Sequence, residues 1–272
     1  MEDKKIAFIG AGNMVKAIVS GLVSGGYNAS YITATAPSDT RRLLLEQEFS
    51  IRTTSDNISA AKQADVVILA VKPQMMQEVC ATLQSVDWSD KLVISIAAGV
   101  GCQRLCEMLD HNLNIIRVMP NTPSQLGFGM SGMFAPVRVC EADKSFATSL
   151  MSAVGKTCWI EKESNINNII AAAGSAPAYF FLFMEAMQAE AIAQGFDRQT
   201  ARELVQQSAL GAAQMVVTNQ EIELSTLREQ VTSKGGTTAE ALRTFNQHQL
   251  SDIVAKAMQA AVTRAEEMEK LY

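Results

Sequence analysis

Two stretches of the chain combine residue types and spacing that could do chemistry. Residues 6–22, IAFIGAGNMVKAIVSGL, read as strand, glycine turn and helix. Gly10 permits the tight turn, and Gly12 lets the backbone approach a pyrophosphate. The phosphate charge would then meet free helix N–H groups and the positive end of the helix dipole, with Ala11, Asn13 and Met14 completing the cradle. Val15 holds the third position of GxGxxG, so the strict fingerprint fails, and Ala17 is expected to supply the close helix–strand contact instead. The second stretch is residues 231–238, VTSKGGTT, where Ser233, Thr237 and Thr238 surround Gly235 and Gly236. Paired glycine costs roughly 1 kcal/mol per residue in a helix interior. Its place in a segment otherwise written for helix therefore needs a reason beyond propensity.

The residues after the second strand bear on which nicotinamide cofactor is used. An acidic residue usually ends that strand in NAD sites, gripping the ribose 2′-hydroxyl. Here the chain reads Thr35-Ala36-Pro37-Ser38, followed by Arg41 and Arg42. Small hydroxyls and arginine suit a 2′-phosphate, so NADPH is expected over NADH. A capped helix start at Ser38 and Asp39, with solvated arginines, is the competing reading. Further loops are expected at the carboxyl ends of parallel strands, where ligands bind in open α/β sheets. These are Ala70-Val71-Lys72-Pro73, Ala97-Ala98-Gly99 and the run from Met119 through Asn121 to Pro123. Together with Asn57 they make up the expected cofactor set, shaping a slot for the nicotinamide.

The elements that must position these residues follow from periodicity. Strands are expected at 5–9, 31–34, 66–70, 92–96 and 114–118, with two further candidates at 129–135 and 158–160. Helical patterns lie between them at 14–24, 40–48, 74–83 and 102–109. Such alternation implies βαβ units and a mostly parallel sheet covered on both faces. The run VVILAV at 66–71 fits a central strand that has lost polar alternation. After Glu163 no strand pattern remains. Asp197 reads as the N-cap of a helix over 198–218, and 251–270 repeats the helical spacing. The fold class is therefore α/β: a Rossmann-type doubly wound domain over 1–162, then an all-helical domain over 163–272. The helix expected over 177–194 is apolar nearly all round, and such a helix must be covered on all sides. Subunits are expected to pair through it, the alternative being a central place in its own bundle.

Composition narrows the function classes. The net charge is −5 across 272 residues with no basic run, which gives nucleic acid no electrostatic footing. Five scattered cysteines without CxxC spacing and only two histidines make a zinc site improbable and reduced thiols the default. The start MEDKKIAFIGAG lacks the charged and apolar regions of a secretory signal, so a cytoplasmic protein is expected. The apolar stretch 169–187 is interrupted by Gly174, Ser175, Pro177 and Glu185, which favours a core helix over a membrane span.

With these residues assembled, the chain resembles the pyrroline-5-carboxylate reductase family over essentially its whole length. The resemblance rests on FIGAGNM, AVKP, AAGV, MPNTP, GSAPAY and, most specifically, VTSKGGTT. It implies reduction of Δ1-pyrroline-5-carboxylate to L-proline with NADPH or NADH, the last step of proline synthesis. It also implies dimers formed through the helical domain, sometimes assembled into decamers. The active site then lies between the cofactor domain of one chain and helices of its dimer partner. A cyclic imine carrying a carboxylate gives VTSKGGTT a purpose. Gly235 and Gly236 are expected to offer consecutive N–H groups to that carboxylate, helped by the hydroxyls of Ser233, Thr237 and Thr238. The resemblance places Thr238 close to the ring nitrogen, orienting the imine or relaying a proton from water. It places Glu163 near the substrate, against the plainer reading of a solvated acid starting a helix.

The chain departs from the family pattern in three places. Lys234 stands where the family commonly has proline, and Ala173 and Ala176 replace a serine and a glycine of the usual SGSGPAY. Alanine at 176 would resist any backbone requirement for positive φ. Two other functions compete with the reductase. A β-hydroxyacid dehydrogenase would carry a lysine after the glycine turn, and AAAGSAPAYFFLFMEA has none. A non-catalytic NADP sensor would bind cofactor without turning over any cyclic imine.

Overall fold

The computed structural model describes residues 4–272. Eight strands form one sheet: β1 (Ile6–Ile9), β2 (Ile32–Thr35), β3 (Arg52–Thr54), β4 (Val66–Leu69), β5 (Leu92–Ser95), β6 (Asn114–Met119), β7 (Gly129–Phe134) and β8 (Gly155–Trp159). Their order is β3-β2-β1-β4-β5-β6-β7-β8. Every pairing is parallel except β6 with β7. From β1 the chain moves outward to β2 and β3, then crosses back to place β4 on the other side of β1. The switch point of this doubly wound sheet is therefore the β1/β4 boundary, where a crevice opens beyond the strand ends.

Helices α1 (Asn13–Ser24), α2 (Asp39–Phe49), α3 (Asn57–Gln63), α4 (Pro73–Leu83), α5 (Cys102–Leu109) and α6 (Glu141–Ser152) connect the strands. Both faces of the sheet are covered, which is why β4 and β5 read VVIL and LVIS with every residue buried. One layer gathers Phe8, Ile18, Leu22, Ile68 and Ile94; the other gathers Ile9, Leu69, Met76, Leu83 and Leu105. Burying each such side chain contributes about 1.5–3 kcal/mol. Helix α1 lays Val15, Ala17, Ile18, Val19 and Leu22 on the sheet. At Gly21 the helix meets the end of α6, where an added Cβ would stand 2.4 Å from the Ala153 carbonyl oxygen. Ala17 is buried as expected, but the position that tolerates no side chain lies one turn later.

The remaining helices are α7 (Asn165–Ile169), α8 (Ala176–Ala193), α9 (Arg198–Thr218), α10 (Leu224–Gln230), α11 (Thr237–Gln247) and α12 (Leu250–Leu271), with a π-helical turn at Ile170–Gly174. Packing divides the chain into two compact units: one up to Pro177 together with Ala260–Tyr272, the other Ala178–Gln259. The boundary expected at 162 thus falls inside the sheet unit. The reason is local packing: Ile166 and Ala171 are buried, and a Cβ on Gly132 of β7 would collide with Ile169 at 2.6 Å. Ala176 begins α8 in ordinary right-handed backbone and is absent from the positive-φ positions, so its replacement of glycine introduces no strain.

Taken by itself, the helical unit buries only Ala201, Val205 and Leu227 among its apolar residues. Helix α8 has no buried residue, and Phe180, Phe181 and Leu182 are 66%, 63% and 68% exposed. This corrects the alternative in which that helix is the centre of its own bundle. The run Asn165–Ala193 is long and apolar enough to cross a membrane by length and composition. Gly195, at φ +106°, turns the chain out of α8, and Asp197 caps α9 by accepting from the N–H groups of Gln199 and Thr200.

Candidate active site

The glycine turn lies at the switch point of the sheet. Gly10 has φ +122°, and a Cβ there would stand 2.7 Å from the Ala70 carbonyl oxygen. The loops after β1 and β4 therefore touch backbone to backbone, which only glycine allows. Gly12 has open space where a side chain would be. It is the N-cap of α1, with no side chain satisfying the first-turn N–H groups and no acidic residue in that turn. Open backbone, free donors and a positive dipole end fit a pyrophosphate. Val71 and Lys72 follow β4, and Pro73 opens α4 at a position that has no hydrogen bond to lose. Asn57 begins α3 after Asp56, whose carboxylate caps that helix.

The second strand ends differently from the expectation. Thr35 is 1% exposed, and its hydroxyl accepts a hydrogen bond from the Gly10 N–H at 3.2 Å. Its side chain holds the glycine turn rather than reaching for a ribose. Arg42 folds back to donate to the Ala36 carbonyl at 2.5 Å and to pair with Asp39. Arg41 is exposed and, among the described residues, has no carboxylate partner. Ser38 is the N-cap of α2 but makes no side-chain capping bond.

Two expected contact residues are committed within the protein. The Asn121 side chain, 8% exposed, donates to the Ala173 carbonyl at 3.1 Å and accepts from the Met130 N–H at 2.9 Å. It ties the loop after β6 to the π-helical turn and to β7. Glu163 is neither a solvated acid nor a free ligand for an amine. Its Oε1 accepts from the Cys102 N–H at 2.7 Å and from Arg117 Nη1 at 3.1 Å. Burial and the neighbouring Glu163 charge push the Cys102 thiol well above its ordinary range, leaving it protonated at neutral pH.

In the helical unit, VTSKGGTT forms a turn and a helix start. Gly236 N–H donates to the Ser233 carbonyl at 3.0 Å, and Gly235 has φ +72°. Positive φ at the third residue marks a turn in which proline is favoured at the second, the place Lys234 holds. Proline and lysine both fit there, which accounts for the departure from the family pattern. The turn also corrects the expected pair of consecutive donors, because the Gly236 N–H is spent inside it. The donors that remain are the Gly235 N–H and those of the first turn of α11, at Thr237, Thr238 and Ala239. Gly236 caps that helix with no side-chain hydrogen bond, and Glu240 N–H makes the first intrahelical bond, to Gly236 at 3.2 Å. Thr237, Thr238 and Ser233 are exposed, and the Ser233 hydroxyl lies where a Gly236 Cβ would be, 2.4 Å away.

Two family models and full-length relatives match the chain. The family described as NADP oxidoreductase coenzyme F420-dependent matches residues 5–99, and that described as pyrroline-5-carboxylate reductase dimerisation matches residues 163–268. The pyrroline-5-carboxylate reductase of Vibrio alginolyticus is 76% identical over 272 residues, covering 100% of both chains. The solved pyrroline-5-carboxylate reductase of Coxiella burnetii superposes with a TM-score of 0.92 at 40% identity, over 98% of this chain and 99% of that one. The Plasmodium falciparum pyrroline carboxylate reductase, solved with NADP bound, gives 0.88 at 27% identity over 99% of each.

Proposed function

The chain belongs to the pyrroline-5-carboxylate reductase family, and we propose how its residues carry out the reduction of Δ1-pyrroline-5-carboxylate to L-proline. Saturating the C=N bond needs a hydride at carbon and a proton at nitrogen. NADPH supplies the hydride. The glycine turn at Gly10–Gly12 and the first turn of α1 hold its pyrophosphate, with Ala11, Asn13 and Met14 completing the contact. Arg41 takes the 2′-phosphate, since its guanidinium is exposed and, among the described residues, has no carboxylate partner. The loops Ala70–Pro73 and Ala97–Ala98, with Asn57, line the rest of the cofactor's path.

One observation carries the substrate reading: the uncapped first turn of α11 behind the Gly235 turn. Its N–H groups and the hydroxyls of Ser233 and Thr237 bind the substrate carboxylate. Thr238 hydrogen-bonds at the ring nitrogen, orienting the imine and passing a proton from water, because a threonine hydroxyl alone is a poor acid at neutral pH. Helix α8 pairs with a second copy of the chain, giving a homodimer in the cytoplasm.

NADPH oxidation with pyrroline-5-carboxylate, measured on the wild type and on Thr238→Ala, tests this mechanism. Wild-type turnover with kcat/KM reduced roughly 10²-fold in the variant is expected for a lost proton relay. An unchanged kcat/KM in Thr238→Ala would remove the hydroxyl from the mechanism.

A further inference from the structure

The loop after β5, Ala97-Ala98-Gly99, belongs to the cofactor path proposed above, and two independent contacts fix its shape from the far end of the chain. Gly99 is buried at φ +72°; a Cβ there would stand 3.1 Å from Met268 Cβ and 3.5 Å from Tyr272 Cδ2. The last turn of α12 therefore lies directly on the loop. Arg104, in the first turn of α5, holds that turn down by donating from Nε to the Tyr272 carbonyl at 2.7 Å.

The second contact is electrostatic. Arg117 on β6 is 1% exposed, and its guanidinium bridges two carboxylates: Nη1 to Glu163 at 3.1 Å and Nη2 to Glu269 at 2.9 Å. Glu163 in turn receives the Cys102 N–H, the first residue of α5 and three positions beyond Gly99. Glu269, adjacent to Met268 on α12, also receives Asn167 Nδ2 at 3.0 Å. A buried guanidinium is costly unless it is paired and hydrogen-bonded. An apolar side chain would fill the same place on β6 as well if packing alone were needed. What the charge adds is a fixed distance between α12, the start of α5 and the strand leading into Met119–Asn121.

We infer that Arg117, Glu163 and Glu269, with Met268 and Tyr272, are positioning residues for the nicotinamide cofactor. They act through the backbone of the β5–α5 loop rather than by touching the cofactor. Glu163 thereby has a place in the reaction different from the substrate contact expected of it. The inference rests on the reading that Ala97–Gly99 lines the cofactor path, and NADPH binding to the wild type tests that reading separately.

NADPH affinity, read in the absence of imine from nicotinamide fluorescence, is compared among wild type, Met268→Ala, Tyr272→Ala and Glu269→Gln. Arg264→Ala, which breaks an exposed pair with Glu267 on the same helix, serves as the control. The three variants are expected to raise Kd and KM for NADPH about 5–10-fold, leaving KM for pyrroline-5-carboxylate within about twofold, a loss of about 1–1.4 kcal/mol. The control is expected to bind NADPH as the wild type does. If Glu269→Gln unfolds, Tyr272→Ala, which removes the ring carbon lying on Gly99, and Met268→Ala, which thins the same turn of α12 beyond its Cβ, decide the matter. Wild-type Kd in folded Met268→Ala and Tyr272→Ala would overturn the inference. So would equal rises in KM for both substrates, which indicate general loosening. Failure of the wild type itself to bind NADPH would overturn the cofactor reading instead.

Discussion

In the sheet unit Phe8, Ile68, Leu69 and Ile94 have no exposed surface, whereas in the helical unit Phe180, Phe181 and Leu182 are each more than 60% exposed. Both regions carry comparable apolar side chains. The difference lies in what covers them. A parallel sheet with helices on each face closes its own core, so every strand can be apolar on both sides. The helices of the second unit leave α8 uncovered along its length, and a surface of that kind marks an association site. The first unit closes its core within a single chain, whereas the second leaves the surface that, in the function proposed above, another copy covers.

The largest expected effect breaks this asymmetry directly. Phe181→Asp places a charge on the uncovered helix and, because a symmetric pair carries it twice, should weaken assembly by roughly 4–8 kcal/mol. Sedimentation across a concentration series reads this as a shift to monomer, with the secondary structure of the sheet unit kept. Phe8→Ala makes the reciprocal cut: a cavity in the closed core should cost about 3–5 kcal/mol in urea unfolding without changing the subunit stoichiometry of the folded protein. Stability loss from Phe181→Asp that did not depend on protein concentration would contradict the comparison.

Smaller effects concern ligand and helix ends. Arg41→Ala removes an exposed guanidinium from the cofactor half and should raise KM for NADPH about tenfold, with KM for NADH unchanged. Equal effects on the two cofactors would refute a 2′-phosphate contact. In the helical half, hydrogen bonds from the Thr200 N–H, the Thr200 hydroxyl and the Gln199 N–H hold the Asp197 carboxyl below its usual range. Its folded pKa lies below the unfolded one, so the cap stabilises fully above the unfolded value and its contribution is lost as pH falls through the folded value. Asp197→Ala should accordingly lower Tm slightly at neutral pH, with the difference from wild type shrinking in acid. A pH-independent difference would show that the carboxylate charge is not involved.

The sequence was most legible where local patterns decide structure. Strands β4 and β5 lie within one residue of their apolar runs, and α9 begins where Asp197 signals a cap. Strand β3 escaped because Arg52-Thr53-Thr54 lies at the sheet edge and has no buried residue to set a pattern. Strand β8 starts three residues earlier than its apolar end suggests. There Gly155 presses on Gly129, where a Cβ would meet the carbonyl oxygen at 2.1 Å. The candidate site divides in the same way. The glycine turns were visible as residue types, but the partners of Glu163, Thr35 and Asn121 lie 25 to 61 residues away at their nearest and farthest along the chain, apart from Met130 nine residues on. No periodicity reports such pairings. The spent N–H of Gly236 was readable in principle, since glycine at the third place of a turn directs the next N–H back to the first residue.

In the function proposed above, a second copy completes the uncovered helical half, and the completed form is the reductase. Mass measured in solution while pyrroline-5-carboxylate turnover is followed tests it directly, using the wild type and Phe181→Asp. The wild type should sediment at twice the 29.4 kDa chain mass, or a multiple of that dimer, and turn over. Phe181→Asp should sediment as a folded 29.4 kDa monomer, bind NADPH and fail to reduce the imine. A wild type that is active as a 29.4 kDa monomer would contradict the account.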